Sequence, residues 1–209
     1  MPDSLMKRTC HMETEVLSGN SDTGVKAVTL RIARNGWKDT DQPSVLKKAE
    51  RSKERSRLGD WEADTVAGKT GKACLVTLAD RKSRFLPGGK SAARKADPVN
   101  EVIIRSLKVQ FLESITPDRG KEFAKHDLVT EELDQVQFYF PLPHHPWQRG
   151  TSENTNGLLR EYFPKGQDLT DISEEYIQSV FDKLNKRPRK CLGYRTPFEV
   201  HYSTLLRLA

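Results

Sequence analysis

Cysteine is scarce and scattered: Cys10, Cys74 and Cys191 are the only three in 209 residues, and no two form a C-x-x-C pair. An odd, dispersed set excludes a disulfide framework and argues against a zinc site; it fits a reducing, cytoplasmic setting. Long apolar runs are missing as well. None approaches the roughly 18 residues of a membrane span, so no membrane partner is expected. The opening MPDSLMKRTCHMETEV has no apolar signal core, so secretion is not expected either. Internal repeats are absent. Acid is in the minority, 29 Asp and Glu against 35 Lys and Arg, which gives a net charge of +6. That balance suits a polyanionic partner without demanding one. The length suffices for one domain with an appendage and a full core that needs no covalent staples.

What is present falls into four stretches. Residues 1–43 are polar, mixed in charge and weakly periodic, with one strand-like piece at Val25 to Ile32; they predict a poorly ordered N-terminal arm. Residues 44–58 form a basic linker in which Lys47, Lys48, Arg51, Lys53, Arg55 and Arg57 face only Glu50 and Glu54. That segment reads either as a solvated surface or as a clamp on phosphates. Residues 59–203 carry orderly patterns, and 204–209 are a short C-terminal tail.

Within the orderly part, Trp61 to Ala67 predicts a strand and Ala73 to Ala79 a more buried one. A third strand is expected near Arg84 to Leu86, closed by Pro87, Gly88 and Gly89. Asp97 before Pro98 reads as a helix N-cap, followed by a stripe of Val99, Val102, Ile103 and Leu107. A short strand from Ser114 should end at Asp118. Lys121 to Leu133 reads as a helix, Val136 to Phe140 as a strand and Ser152 to Phe163 as a helix. Ser173 should cap a last strong helix with Ile177, Val180, Phe181 and Leu184 buried. This order predicts an α/β fold: a mixed sheet flanked by helices, the order of an RNase H-like domain.

Three acids stand out. Asp64 sits mid-strand, where aspartate is a poor strand former and is costly to half-bury unless paired or metal-bound. Alternation places Asp60, Glu62 and Asp64 on one face, so Glu62 competes with Asp64 on spacing alone. Asp118 ends a strand, where a carboxylate can project from the carboxyl edge of a sheet. Glu153 opens a helix that would present Asn156, Gly157 and Arg160 on the same side. Singly, each has a bland reading as turn former, cap or dipole-stabilising acid. Jointly, they suit two-ion phosphoryl chemistry, in which carboxylates on rigid elements hold hard divalent cations about 3.5–4 Å apart.

Four segments together resemble the integrase core of insertion-sequence transposases, specifically the IS-thirty family: GDWEADTVAGK with LVTLADRKSRF, ITPDRGKEF, HHPWQRGTSENTNGLLREYFPKG, and NKRPRKCLGYRTPFEV. The resemblance covers roughly residues 55 to 201. It implies that Asp64, Asp118 and Glu153 are the catalytic, metal-binding carboxylates, and it selects Asp64 over Glu62. The interval from 118 to 153 leaves 34 residues between them, as in many acid-triad transposases. It implies two Mg²⁺ ions (Mn²⁺ possible), cleavage at transposon ends, transfer of a 3′-hydroxyl to target DNA, a homo-oligomer on DNA, and a nucleoid-associated protein. Residues 1–43 do not match the helix-turn-helix that recognises terminal repeats in that family, so a truncated copy is expected.

Supporting residues follow from the same segments. Trp147, His144, His145, Gln148 and Arg149 lie in the loop before Glu153, where the indole could stack on a base or cap the core. Asn156, Arg160, Arg149, Trp147 and Lys121 are the candidate DNA contacts. Lys183 to Arg195 holds six basic residues and no acid, partly explained by a helix C-terminus. Tyr194 and Phe198 are expected in the core. The leading expectation is a DDE transposase. Its rival is a catalytically idle fragment that binds DNA non-specifically or inhibits a full-length relative. A structure-specific nuclease is weaker, because the match extends well beyond the acids.

Overall fold

The computed structural model describes residues 55–141 and 150–205. The expected arm, most of the basic linker, the loop from His144 to Arg149 and residues 206–209 lie outside them. β1 (Asp60–Ala67) and β2 (Cys74–Asp80) form an antiparallel pair running from Trp61↔Asp80 to Ala67↔Cys74. β3 (Gly88–Ser91) pairs antiparallel with β2. After α1 (Ala96–Leu107), β4 (Ser114–Pro117) joins the other side of β1 in parallel. A 3₁₀ turn (Lys121–Phe123) and α2 (His126–Glu132) lead to β5 (Gln137–Phe138), parallel to β4. Then come α3 (Gly150–Leu159), α4 (Glu174–Asn185), a 3₁₀ turn (Lys190–Leu192) and α5 (Pro197–Leu205). The sheet order is β3-β2-β1-β4-β5, the mixed α/β arrangement expected.

Period-two alternation along β1 and β2 feeds two cores, one on each face of the sheet. Trp61, Ala63, Val76 and Leu78 pack with α1 residues Val99, Val102, Ile103 and Leu107, and with Phe123, Val129 and Phe138. Val66, Leu75 and Ala79 pack with Leu159 of α3 and with Ile177, Val180, Phe181 and Leu184 of α4. Both expected helical stripes are therefore buried. Each side chain so removed from water stabilises the fold by about 1.5–3 kcal/mol. Ser173 caps α4 as expected, its hydroxyl accepting from Tyr176 N at 3.2 Å. Among the described residues, no helix is long and apolar enough to cross a membrane.

Several local expectations give way to tertiary contacts. The third strand occupies Gly88–Ser91 rather than Arg84 to Leu86. At Gly88 a Cβ would lie 2.2 Å from the Val76 carbonyl oxygen and 2.9 Å from the Phe181 ring. The glycines thus serve close approach to β2 and α4, not a turn. Helix α1 begins one residue before Asp97, whose carboxylate holds Lys125 Nζ at 2.7 Å instead of capping. The predicted helix from Lys121 to Leu133 is split, with Phe123 driven into the core and Asn100 Nδ2 donating to the Lys125 carbonyl at 2.7 Å. β5 is an edge strand of two residues. Tyr194 and Phe198 are 72% and 45% exposed, not core. The end of the basic segment is anchored: Leu58 is buried, and Arg57 pairs with Asp60 at 2.9 Å and Glu113 at 3.0 Å.

Candidate active site

Parallel pairing brings two of the three singled-out acids level. Ala63 is the register partner of Pro117. Asp64 is the next residue of β1 and Asp118 follows the last residue of β4, so both aspartates come one residue beyond the last registered pair. Both are half-buried. Backbone amides orient them: Thr65 N donates to Asp64 Oδ1 at 2.8 Å, and Gly120 N donates to Asp118 Oδ1 at 2.8 Å. Helix α3 lies against β1 and β2. Its Asn156 donates through Nδ2 to Asp64 Oδ2 at 2.9 Å and meets Thr77 Oγ1 through Oδ1 at 3.2 Å. Glu153 is one turn earlier on the same side of the helix and is exposed.

Glu62, the competitor of Asp64, has a different task. It is 0% exposed. Its Oε2 accepts from Thr151 N at 3.1 Å, Ser152 N at 2.8 Å and Ser152 Oγ at 3.0 Å. Its Oε1 pairs with Arg81 Nε at 3.2 Å. A buried carboxylate therefore satisfies amides at the start of α3 that have no partner within the helix, and complements the helix dipole. The contact sets the beginning of the helix that carries Glu153.

A further acid lies beside Asp118. Glu122 is buried, and its Oε1 accepts from Thr65 Oγ1 at 2.8 Å and from Arg94 Nε at 2.6 Å. A Cβ on Gly120 would meet Glu122 Oε2 at 2.3 Å and Asp118 Oδ1 at 2.7 Å. The two carboxylates thus flank a backbone that only glycine leaves open. Arg94 is half-exposed; burial opposes its charge, but the bond from Glu122, the nearby Glu122 charge and then the Asp118 charge hold its pKa above the usual arginine range. Residue-by-residue reading of the chain passed over Glu122 and Arg94. The available signal was the spacing of Glu122, four residues after Asp118.

The other candidates distribute unevenly. Asn156 spends its amide on Asp64 and Thr77. Arg160, half-buried, donates to the carbonyls of Ala67 at 3.0 Å and Phe163 at 3.3 Å, so both side chains brace α3 against β1 and β2. Lys121 is exposed. Trp147, Arg149, His144, His145 and Gln148 lie outside the described residues. Among the described residues, no group of three His, Cys, Asp or Glu side chains is gathered closely enough to hold a metal ion. The acids on β1, after β4 and on α3 carry oxygen donors, the atom type hard divalent cations take, but Glu153 is exposed and the three are not gathered.

Comparison with known proteins gives the relatives of this chain. No family model matches the chain. It is 42% identical over 147 residues to the transposase for insertion sequence element IS4351 of Bacteroides fragilis, a match that covers 69% of this chain and 45% of that protein. It is also 42% identical over 149 residues to transposase InsI for element IS30A of Escherichia coli, covering 70% of this chain and 38% of that protein. The chain belongs to the IS-thirty family of insertion-sequence transposases. This family member spans about half the length of the curated relatives it matches. The fold is RNase H-like: the catalytic core of bovine immunodeficiency virus (BIV) integrase aligns with a TM-score of 0.54 at 18% identity, covering 71% of this chain and 96% of that one. A chain of the simian T-cell lymphotropic virus intasome, solved in complex with a PP2A regulatory subunit, aligns with a TM-score of 0.55 at 16% identity, covering 68% and 54%.

Proposed function

We propose that this chain is the catalytic core of a DNA transposase that cleaves DNA strands and transfers them to a target, with Asp64, Asp118 and Glu153 as its catalytic carboxylates. The observation that carries the reading is the placement of Asp64 and Asp118 one residue beyond the last registered pair of two parallel strands, with the Glu153 helix held onto the same sheet by Glu62 and Asn156. The three carboxylates would hold two Mg²⁺ or Mn²⁺ ions, whose Lewis acidity would serve the attacking and leaving oxygens of an in-line displacement at phosphorus.

The protein's own part is positional. Asn156 and the Thr65 amide fix the rotamer of Asp64, and the Gly120 amide fixes that of Asp118. Glu122 keeps Thr65 and Arg94 against the site. Glu153, exposed on α3, would supply the third carboxylate. Lys121, Arg149 and Trp147 are assigned to the DNA backbone and to exposed bases, and a homo-oligomer would bridge transposon ends and target. The test is cleavage and joining of duplex substrates carrying transposon ends, with and without Mg²⁺. Asp118→Asn should fold normally, by circular dichroism, and lose activity. Activity retained in that variant overturns the assignment.

A second reading, an idle core that binds DNA or inhibits a longer transposase, is favoured by the ungathered acids. Co-expression with a full-length relative separates the two, since suppressed transposition supports the idle core.

A further inference from the structure

One basic region is left over by the site described above. The turn between β2 and β3 carries Arg84 in a left-handed conformation, φ +62°, which costs a non-glycine residue energy. This conformation sends its guanidinium to the first turn of α3, where Nη1 donates to Thr151 Oγ1. The Cys191 side chain is near enough to oppose the lowering of the Arg84 pKa. Cys191 belongs to a tight loop closed by Arg189 N to the Arg195 carbonyl at 3.0 Å and Tyr194 N to the Arg189 carbonyl at 3.0 Å. Arg189 itself is half-buried. Its Nη2 makes only a 3.4 Å contact with the Leu184 carbonyl, and its buried Nε has no hydrogen-bond partner.

Positive charge at this point is only partly offset, by Glu62 and Cys191 towards Arg84 and by Cys191 and Glu161 towards Arg189. Among the described residues neither Arg84 nor Arg189 is in an ion pair with an acid, while Arg187 has Glu161 at 3.1 Å. Burial lowers the pKa of both arginines, and neighbouring guanidiniums lower it further, Arg55 for Arg84, and Arg187 with Arg84 for Arg189. Arg55 Nη2 lies 4.0 Å from where a Cβ of Gly150 would sit, at the start of the same helix. Half-buried guanidiniums held together against their own repulsion are matched by an anion that offers a pair of oxygens to a guanidinium fork, as the two non-bridging oxygens of a phosphodiester do.

We propose that Arg84, Arg189 and the exposed Lys190 form a docking site for the phosphate backbone of duplex DNA, placed beside the start of α3 and therefore close to Glu153. The proposal rests on the transposase reading, and it adds a contact surface distinct from Lys121 and the loop before Glu153. Duplex DNA is chosen over a free anion because the basic side chains continue along the surface to Arg187 and Arg195, a track longer than one phosphate.

The experiment measures duplex affinity of the whole chain against salt concentration in EDTA, so that no cleavage intervenes. Arg189→Gln should lower the slope of log K against log salt by about 0.9, one phosphate contact. Lys190→Gln, fully on the surface, should do the same even if Arg189→Gln disturbs folding. Lys108→Gln, at the exposed end of α1 on the opposite face of the sheet, should leave the slope unchanged. Saturating duplex should also protect Cys191 from alkylation, located by mass spectrometry, whereas inorganic phosphate at the same phosphate concentration should not. Unchanged slopes in both loop variants, an equal fall for Lys108→Gln, or undiminished Cys191 alkylation overturns the proposal, as does a chain that binds no duplex. If the wild-type chain binds duplex in this way but never cuts transposon-end duplexes in Mg²⁺, the transposase reading alone is refuted.

Discussion

Removing the Glu62 carboxylate is the perturbation that most directly probes how the site is built. In Glu62→Ala, three hydrogen bonds to the start of α3 vanish and Arg81 loses one of its partners, at 3.2 Å in a region nearly closed to solvent. Deleting one member of a buried pair costs about 3–5 kcal/mol, because the other charge stays behind. A domain of this size has about 5–15 kcal/mol in total, so the variant should remain folded but unfold at clearly lower urea. Glu62→Gln keeps the volume and an acceptor for the helix amides, and should recover part of the loss. Fluorescence of the fully buried Trp61 gives the transition, and an unchanged m-value would assign the shift to stability alone. A double-mutant cycle with Arg81→Ala should show a coupling of about 0.5–3 kcal/mol. If Glu62→Ala lies within about 1 kcal/mol of wild type at the same m-value, Glu62 does not hold α3 and the account of how Glu153 is positioned fails.

Burial depresses the pKa of His201 to about 4. The neutral ring therefore contributes stability in full above pH 6.5, and that contribution is lost as pH falls from 6.5 towards 4, at most about 3 kcal/mol. Asp80, linked to His201 through Ser83, has its pKa raised by burial and pulls stability the other way, so the decisive measurement is the NMR titration of the His201 ring. A midpoint near 6.5 would contradict the packed environment. Gly88→Ala should destabilise by at least about 1–3 kcal/mol, since the added carbon meets the Val76 carbonyl oxygen at 2.2 Å; a thermal midpoint equal to wild type would disprove that close approach. Cys191 is exposed, while burial pushes the Cys74 thiol up to about 11. Alkylation at pH 7.5 should therefore mark Cys191 and spare Cys74 until the protein is unfolded.

Local patterns carried much of the architecture. The stripes Val99–Val102–Ile103–Leu107 and Ile177–Val180–Phe181–Leu184 are buried because a 3.6-residue period commits one side of each helix to the sheet. Ser173 caps α4 because a side-chain oxygen before two acids is a local, self-contained signal. Features dependent on distant chain segments were illegible. Gly88 looks like a turn residue until Val76 and Phe181 are placed against it. Tyr194 looks apolar enough for the core, yet it sits in a loop whose left-handed backbone turns it outward.

The candidate site divides in the same way. Sequence alone determined which acids are present, their spacing, the alternation that puts Glu62 and Asp64 on one face, and the likeness to integrase-type cores, because these depend on residue type and interval. Only tertiary structure decided where each acid sits and which groups it meets. Parallel register sets Asp118 and Asp64 one residue beyond the last registered pair, Glu62 is consumed by the start of α3, and Glu122 arrives next to Asp118 through Thr65 and Arg94. A carboxylate's role depends on which donors surround it, and those donors come from strands and helices up to 92 residues away along the chain.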